Sequence, residues 1–260
     1  KSVIWKRYHV EVGKITLMGG GFYARAFLVE LPCEPKKLVL KLYFMPGLSR
    51  NEYRQIEVLS KSANLKMPKL YWTETTQENV KYEVLAMEYL SGSNAGAIVV
   101  DNLTEQCRKN IAEEVVDNLL AYQHTINPAG FGAIGAETFV DDWRFYYRPI
   151  VDSILEKAKL MLEQGKMYPE ALRIMELAVA HYDDIFYLPI TEARLIHGDY
   201  NMWNFMVDES AEHACAVLDP YNCSYADSEF DLYQLDNANG KAFGLLDLYK
   251  KKQPVSENFR

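Results

Sequence analysis

A chain of 260 residues with 49% apolar and 25% charged residues has the composition of a globular protein of one large domain or two lobes, which excludes disorder, collagen and coiled coil. No apolar run is long enough to cross a bilayer, and the start KSVIWKRYHV has no apolar segment ahead of a small-residue cleavage site; a soluble, unsecreted, cytoplasmic protein without a membrane partner is expected. The formal charge of -8 argues against a nucleic-acid partner and mildly favours a cationic one, and the four cysteines, with no C-x-x-C pair, read as reduced thiols rather than metal ligands.

The first ninety residues read as strands with one helix inserted. Segments 9–17 and 22–31 lean to β structure and flank Gly19-Gly20-Gly21, and 38–43, LVLKLY, is a short apolar run holding one lysine. Strand alternation puts Lys41 on one face with Val39 and Tyr43, and Leu38, Leu40 and Leu42 on the other. After the Pro46-Gly47 turn, residues 51–63 carry Ile56, Leu59 and Ala63 at helical spacing, and Val80–Tyr89 is the next strand.

Beyond Ser91-Gly92-Ser93 the period changes from two to 3.6, so a boundary is expected near residue 90, dividing the chain into 1–90 and 91–260. A long buried helix over 103–125 sets Ile111, Val115, Leu119 and Tyr122 on one stripe, with Asn102 and Glu105 at capping-pair spacing. Helices follow over about 141–164 and 169–186, the second opened by Pro169. Short strands near 203–207 and 214–218 then flank the Asp208-Glu209-Ser210 turn. The expected class is α+β, with a small β-rich N-lobe and a larger, mostly helical C-lobe.

Three requirements of phosphoryl transfer have candidates in chain order. The chemistry needs a carboxylate beside the attacking hydroxyl, oxygen ligands for Mg²⁺ and a cation on the nucleotide phosphates. His197-Gly198-Asp199 is followed by Asn204 and then by Asp219, which ends the apolar run Ala216-Val217-Leu218. One loop can carry Asp199 toward the acceptor and Asn204 toward a metal, with Asp219 as the principal metal ligand. Singly, each has a plainer reading: Asn204 as a turn residue, Asp219 as a strand end before Pro220, Lys41 as an edge-strand lysine with a snorkelling stem. Gly20 and Gly21 can admit phosphates to the backbone amides or simply form a flexible hairpin.

The pattern H-G-D-x-x-x-x-N followed by D-P resembles the catalytic loop and metal motif of the aminoglycoside phosphotransferase and choline kinase superfamily. Protein kinases have an arginine where this chain has Gly198 and a D-F-G triplet where it has Asp219-Pro220, so a small-molecule acceptor is implied. The resemblance implies a bilobal protein-kinase-like fold and an enzyme using ATP and Mg²⁺, with His197, Asp199 and Asn204 catalytic and Asn204 and Asp219 on the metal. It also implies that Lys41 meets the phosphates, held by a helix glutamate. Glu52 and Glu57 compete for that place; in these families the glutamate precedes apolar residues by four and seven positions, which Ile56 and Leu59 satisfy for Glu52. Met87-Glu88-Tyr89-Leu90 resembles the hinge, where main-chain groups such as those of Glu88 and Leu90 meet adenine. A catalytically silent nucleotide-binding scaffold is the competing class, and the presence of every required residue argues against it.

Four further stretches narrow the resemblance. Leu119-to-His124 with Phe131-Gly132, Asp142-Trp143 with Tyr146-Tyr147, Asp227-Ser228-Glu229-Phe230-Asp231-Leu232, and Leu248-Tyr249 with Pro254 and Phe259-Arg260 are similar in order to the fructosamine kinase family. That family implies a ketosamine acceptor, a sugar joined to an amine; aminoglycoside, other antibiotic and choline-like acceptors stay open. Two departures stand out: Tyr200-Asn201-Met202-Trp203 replaces the family's L-W-x-G, and the family continues into a further helix beyond the place of Arg260, so more chain is expected there. Asp227, Glu229 and Asp231 can form an acidic rim for an amine or brace the catalytic loop; the reading favours the brace, with Asp231 in that role. Trp143, Tyr146 and Tyr147 are read as core aromatics before cleft lining.

Overall fold

The computed structural model describes residues 1–75 and 81–259, so Val80, which opens one expected strand, and Arg260 lie outside the described residues. Helix α1 (Ser2–Tyr8) precedes strands β1 (Lys14–Gly20), β2 (Ala24–Glu30) and β3 (Lys37–Tyr43); helix α2 (Leu48–Leu59) follows, then β4 (Leu70–Glu74) and β5 (Glu83–Glu88). The strands form one antiparallel sheet in the order β1-β2-β3-β5-β4. The two faces of β3 go to different cores. Leu38, Leu40 and Leu42 pack with Ile4 and Val29, whereas Val39 and Tyr43 join Ile56 and Leu59 of α2.

The N-terminal end departs from expectation. The strand expected over 9–17 begins only at Lys14, and residues 2–8 are helical. Seven residues hold little helix alone; here Val3 and Ile4 are 4% and 0% exposed, and Ile4 packs with Val29, Leu38 and Leu40 of the sheet. That tertiary contact has no local signature.

The remaining elements surround one long helix. These are β6 (Ser93–Asn94), α3 (Glu105–Gln123), β7 (Ile126–Asn127), β8 (Gly132–Ala133), α4 (Trp143–Glu163), α5 (Pro169–Ala180), α6 (Tyr182–Ile185), β9 (Ala193–Ile196), β10 (Phe205–Val207), β11 (Ala214–Val217), β12 (Ser224–Ala226), α7 (Gly240–Phe243) and α8 (Leu245–Lys252). Two small sheets, β11-β10-β6 and β7-β9-β12-β8, are joined by the loop 197–204. Helix α3 buries Ile111, Val115, Leu119 and Tyr122, the expected stripe. Its cap is Thr104, whose hydroxyl accepts from the Cys107 amide at 3.1 Å, and not Asn102. Asn102 sits in a 3-10 turn over Val100–Asn102, after which the chain must extend before it can enter the helix.

Three further boundaries differ. The helix expected over 51–63 runs Leu48–Leu59 and gives way to a turn over 60–62. The helix expected over 169–186 is interrupted at His181, and the strand expected from 203 starts at Phe205 because Met202–Asn204 form a 3-10 turn capped by Asn201. Among the described residues no helix is long and apolar enough to cross a membrane.

Candidate active site

Three separate elements deliver the charged centre. Lys41 projects from β3 and donates to both carboxylate oxygens of Glu52 on α2, at 2.9 and 2.8 Å. It donates as well to Asp219 Oδ1 at 2.9 Å, and the Tyr43 hydroxyl donates to Glu52 Oε2 at 2.7 Å. Burial alone would lower the Lys41 pKa; the carboxylates of Glu52 and Asp219 outweigh it and hold the ammonium protonated well above its ordinary range. Glu57 lies on the exposed side of α2 and takes no part. Asp219 is a non-glycine residue at φ 51°, directly before Pro220, a combination the backbone ordinarily avoids.

The loop 197–204 is fastened from below. His197 is fully buried, with Nε2 donating to the Leu218 carbonyl at 3.0 Å and Nδ1 facing the Asp199 amide at 3.4 Å. Burial pushes its pKa down to about 4, so the ring is a neutral bridge between the loop and the strand end that carries Asp219. Asp231, also fully buried, accepts from the main-chain N–H groups of His197 and Gly198, both at 2.8 Å. Burial raises its carboxyl to about 7 against the pull of those two amides. Gly198 has φ 83°, and a Cβ there would meet the Tyr221 carbonyl at 2.0 Å, so the loop touches the segment after Asp219 where only glycine fits.

Asp199 is gripped by three amides. Oδ1 accepts from Asn201 Nδ2 at 2.7 Å and Gln234 Nε2 at 3.0 Å, and Oδ2 from Asn204 Nδ2 at 2.9 Å. Asn204 Nδ2 also donates to the Asp199 carbonyl at 2.7 Å, which leaves Asn204 Oδ1 as the acceptor end of the amide. Together with the half-exposed Asp219 carboxylate it offers hard oxygen atoms suited to Mg²⁺. No group of three His, Cys, Asp or Glu side chains that could hold a metal occurs among the described residues. A magnesium ion bound here would therefore complete its shell with phosphate and water oxygens, as this hard cation usually does.

The unusual insert has a clear anchor. Tyr200 is fully buried; its hydroxyl donates to the Val115 carbonyl at 2.7 Å and accepts from Asn118 Nδ2 at 3.0 Å. Asn118 Oδ1 in turn accepts from the Asn64 and Leu65 amides, which ties the catalytic loop to the chain leaving α2. Trp203 stays exposed, while its amide caps onto Asn201 Oδ1 at 3.0 Å.

Other expected positions spread more widely. Gly20 ends β1 opposite Arg25, and the Gly21 amide donates to Ala24 at 3.1 Å, closing a turn whose Tyr23 stacks on Tyr221 at 5.6 Å. The Glu88 side chain is turned into an ion pair with Lys66 and accepts from the Lys69 amide. Glu88 and Leu90 line a cleft of about 390 Å³ with Lys66 and Asp208. Asp227 caps the 3-10 helix Ser228–Asp236, Glu229 accepts from the Ser256 hydroxyl at 2.8 Å, and Asp231 is the loop brace, so none of the three forms a free acidic rim. Trp143 is a core residue, 3% exposed, that also lines a cavity with Tyr146 and Tyr147. Sequence reading missed Gln234 and Asn201. Gln234 stands three residues after Asp231, on one face of a 3-10 turn, a spacing that points to it once Asp231 is taken as the brace.

A β-sheet region carrying a lysine–glutamate pair above a helical region with an H-G-D loop defines a kinase-like phosphotransferase. The chain belongs to the phosphotransferase enzyme family (APH), whose model matches residues 14–245. It is 22% identical over 231 residues to the uncharacterized protein YcbJ of Escherichia coli (strain K12), covering 86% of this chain and 74% of that one. Among solved structures it is similar to a "putative fructosamine-3-kinase" of Haemophilus somnus, with TM-score 0.73, 14% identity and coverage of 99% and 82%. Its counterpart of Thermobifida fusca gives TM-score 0.62 and 21% identity over 98% and 84%. The GDP complex of an aminoglycoside 2'-phosphotransferase-IIIa mutant gives TM-score 0.67 and 14% identity over 96% and 80%. These likenesses establish the fold, and family membership makes the protein an ATP-dependent phosphotransferase acting on hydroxyl groups.

Proposed function

We propose that this enzyme is a magnesium-dependent small-molecule kinase that phosphorylates a hydroxyl of an amine-linked sugar, with residues 1–90 as the nucleotide lobe and 91–260 as the catalytic and acceptor lobe. The observation that carries the chemistry is the Asp199 carboxylate, held by Asn201, Asn204 and Gln234 on a loop that His197 fastens to Leu218, the residue before Asp219. Asp199 orients the acceptor hydroxyl and receives its proton as the acceptor oxygen bonds to the γ-phosphorus and the bond to the ADP oxygen breaks. Lys41, fixed by Glu52, contacts the nucleotide phosphates, and main-chain groups of Gly20, Gly21, Glu88 and Leu90 border the nucleotide. Asn204 and Asp219 would hold Mg²⁺, whose chemistry is to neutralise charge on the phosphate oxygens. His197 acts by positioning the loop rather than by touching substrate.

The acceptor reading rests on the D-W, D-x-E-x-D and F-G stretches and on the likeness to proteins bearing the fructosamine-3-kinase name. The absorbed carboxylates of Asp227, Glu229 and Asp231 weigh against a polycationic aminoglycoside, which would be met by free negative charge. The exposed rings of Tyr221 and Tyr233 near Asp199 suit a sugar face or a single ammonium. An ADP-release assay over fructosamines, aminoglycosides, amino alcohols and simple sugars, with Asp199→Ala as control, tests this. Release with fructosamines alone is expected; preference for another class overturns the acceptor, and magnesium-dependent ATP binding without release supports a silent scaffold.

A further inference from the structure

A cavity of about 340 Å³ opens between α2 and the elements β8, α4 and β12. It is a separate place from the phosphoryl-transfer cleft: neither Lys41, Glu52 and Asp219 nor Asp199, Asn204 and Gln234 line it. One wall is a preformed aromatic surface. Trp143 stacks on Tyr147 with ring centroids 4.8 Å apart and planes 10° apart, and Phe230 meets both rings edge-on. Trp143, 3% exposed, backs this wall, and the half-buried Tyr146, Tyr147 and Phe230 present it to the cavity, held with little entropy left to lose.

The part of the lining that α2 supplies holds two polar groups without partners among the described residues. Gln55 Oε1 is the one buried side-chain polar atom that lacks a hydrogen bond among the described residues. A buried acceptor left this way is costly, and a donor supplied by a ligand removes the cost. Next to it Arg54 lines the same cavity and enters no ion pair among the described residues. Its guanidinium is a ready partner for a carboxylate.

We propose that this cavity binds a small aromatic acid carrying an N–H or O–H donor on its ring system. The ring lies against Tyr146, Tyr147 and Phe230, the donor meets Gln55 Oε1, and the carboxylate pairs with Arg54. Because α2 also carries Glu52, which holds Lys41 at 2.8 Å, an occupant that fixes α2 also steadies the lysine pair, and nucleotide binding tightens when the site is filled. The inference does not rest on the identity of the acceptor.

Indole-3-acetate, which has both a ring N–H and a carboxylate, is the probe. Titrated into the full chain by calorimetry, it is expected to bind saturably at one site, and Arg54→Ala and Gln55→Leu are each expected to weaken it by about tenfold or more. Binding should persist in the Asp199→Ala protein and in the presence of saturating ATP, whose own affinity should rise. The ligand-free Gln55→Leu protein should melt no lower than wild type, since the change removes an unpartnered acceptor; Arg54 is exposed, so its variant keeps the test open if Gln55→Leu misfolds. No saturable binding up to about 10 mM overturns the proposal, and so does wild-type affinity in Arg54→Ala or displacement by ATP or by the acceptor.

Discussion

The Lys41 ammonium and the Asp219 carboxylate, 178 positions apart in the chain, lie 2.9 Å from one another. Each belongs to a different part of the fold, and the contact closes a line from α2 through Glu52 and Lys41 to the segment that follows the catalytic loop. Replacing Lys41 with Met leaves Glu52 buried without its cation. Loss of one partner of such a pair costs about 3–5 kcal/mol when fully buried, so a fall of about 2–3 kcal/mol is expected here, where the lysine keeps 15% side-chain exposure. Urea denaturation measures it. Glu52→Gln keeps a hydrogen-bond acceptor for Lys41 and should lose less stability, while lowering kcat/KM by moving the lysine.

Asp199→Asn keeps the size of the side chain while removing the base. Turnover should drop by about 10²–10⁴-fold, the usual worth of a positioned general base, with the nucleotide Kd changed little. A coupled ADP assay beside a fluorescent-nucleotide titration separates the two quantities. Turnover close to wild type would remove Asp199 from the mechanism.

His197 and Asp231 should give stability profiles of opposite sign. With its pKa lowered to about 4, His197 binds fewer protons folded than unfolded between pH about 4 and 6.5, so its stabilising contribution grows as pH rises through that window and is lost as pH falls. Asp231, raised to about 7, holds a proton in the folded state that the unfolded chain has released, so its contribution falls as pH rises from about 4 to 7. Each slope is at most about 1.4 kcal/mol per pH unit. Relative to wild type, His197→Gln, which keeps an N–H donor for Leu218, should expose the falling slope and Asp231→Asn the rising one. Chemical denaturation at several pH values reads both, and parallel profiles would disprove the assignment.

Gly198→Ala is expected to be among the most damaging single-methyl changes in the chain. The left-handed backbone at φ 83° costs an alanine about 1–2 kcal/mol, and its Cβ would strike the Tyr221 carbonyl. Calorimetric melting should show a lowered midpoint, and residual turnover should fall because the displaced loop carries Asp199. A melting temperature equal to wild type would mean the 198–221 contact is looser than described.

Much of the fold was legible from patterns that act locally. The alternation in LVLKLY separates Lys41 and Tyr43 from Leu38 and Leu40, the 3.6 period of Ile111, Val115, Leu119 and Tyr122 writes the spine helix, and the H-G-D-x-x-x-x-N spacing puts Asp199 and Asn204 on one loop. Covalent spacing alone is enough for such relationships, because they span a few residues whose geometry is set by one strand, one helix or one turn. Helix α1, by contrast, exists through burial of Ile4 beneath a sheet whose strands come later in the chain.

Sequence reading leans to Glu52 over Glu57 and to Asp231 as a brace; the contact of Glu52 with Lys41, the separate fates of Asp227 as a cap and Glu229 as a tether, and the third amide on Asp199 from Gln234 are set by tertiary structure alone. Each depends on which direction a polar side chain faces after distant segments pack. A carboxylate reads the same in sequence whether it meets solvent, a backbone amide or a lysine; only the packed fold sets the burial and the partners that distinguish those fates.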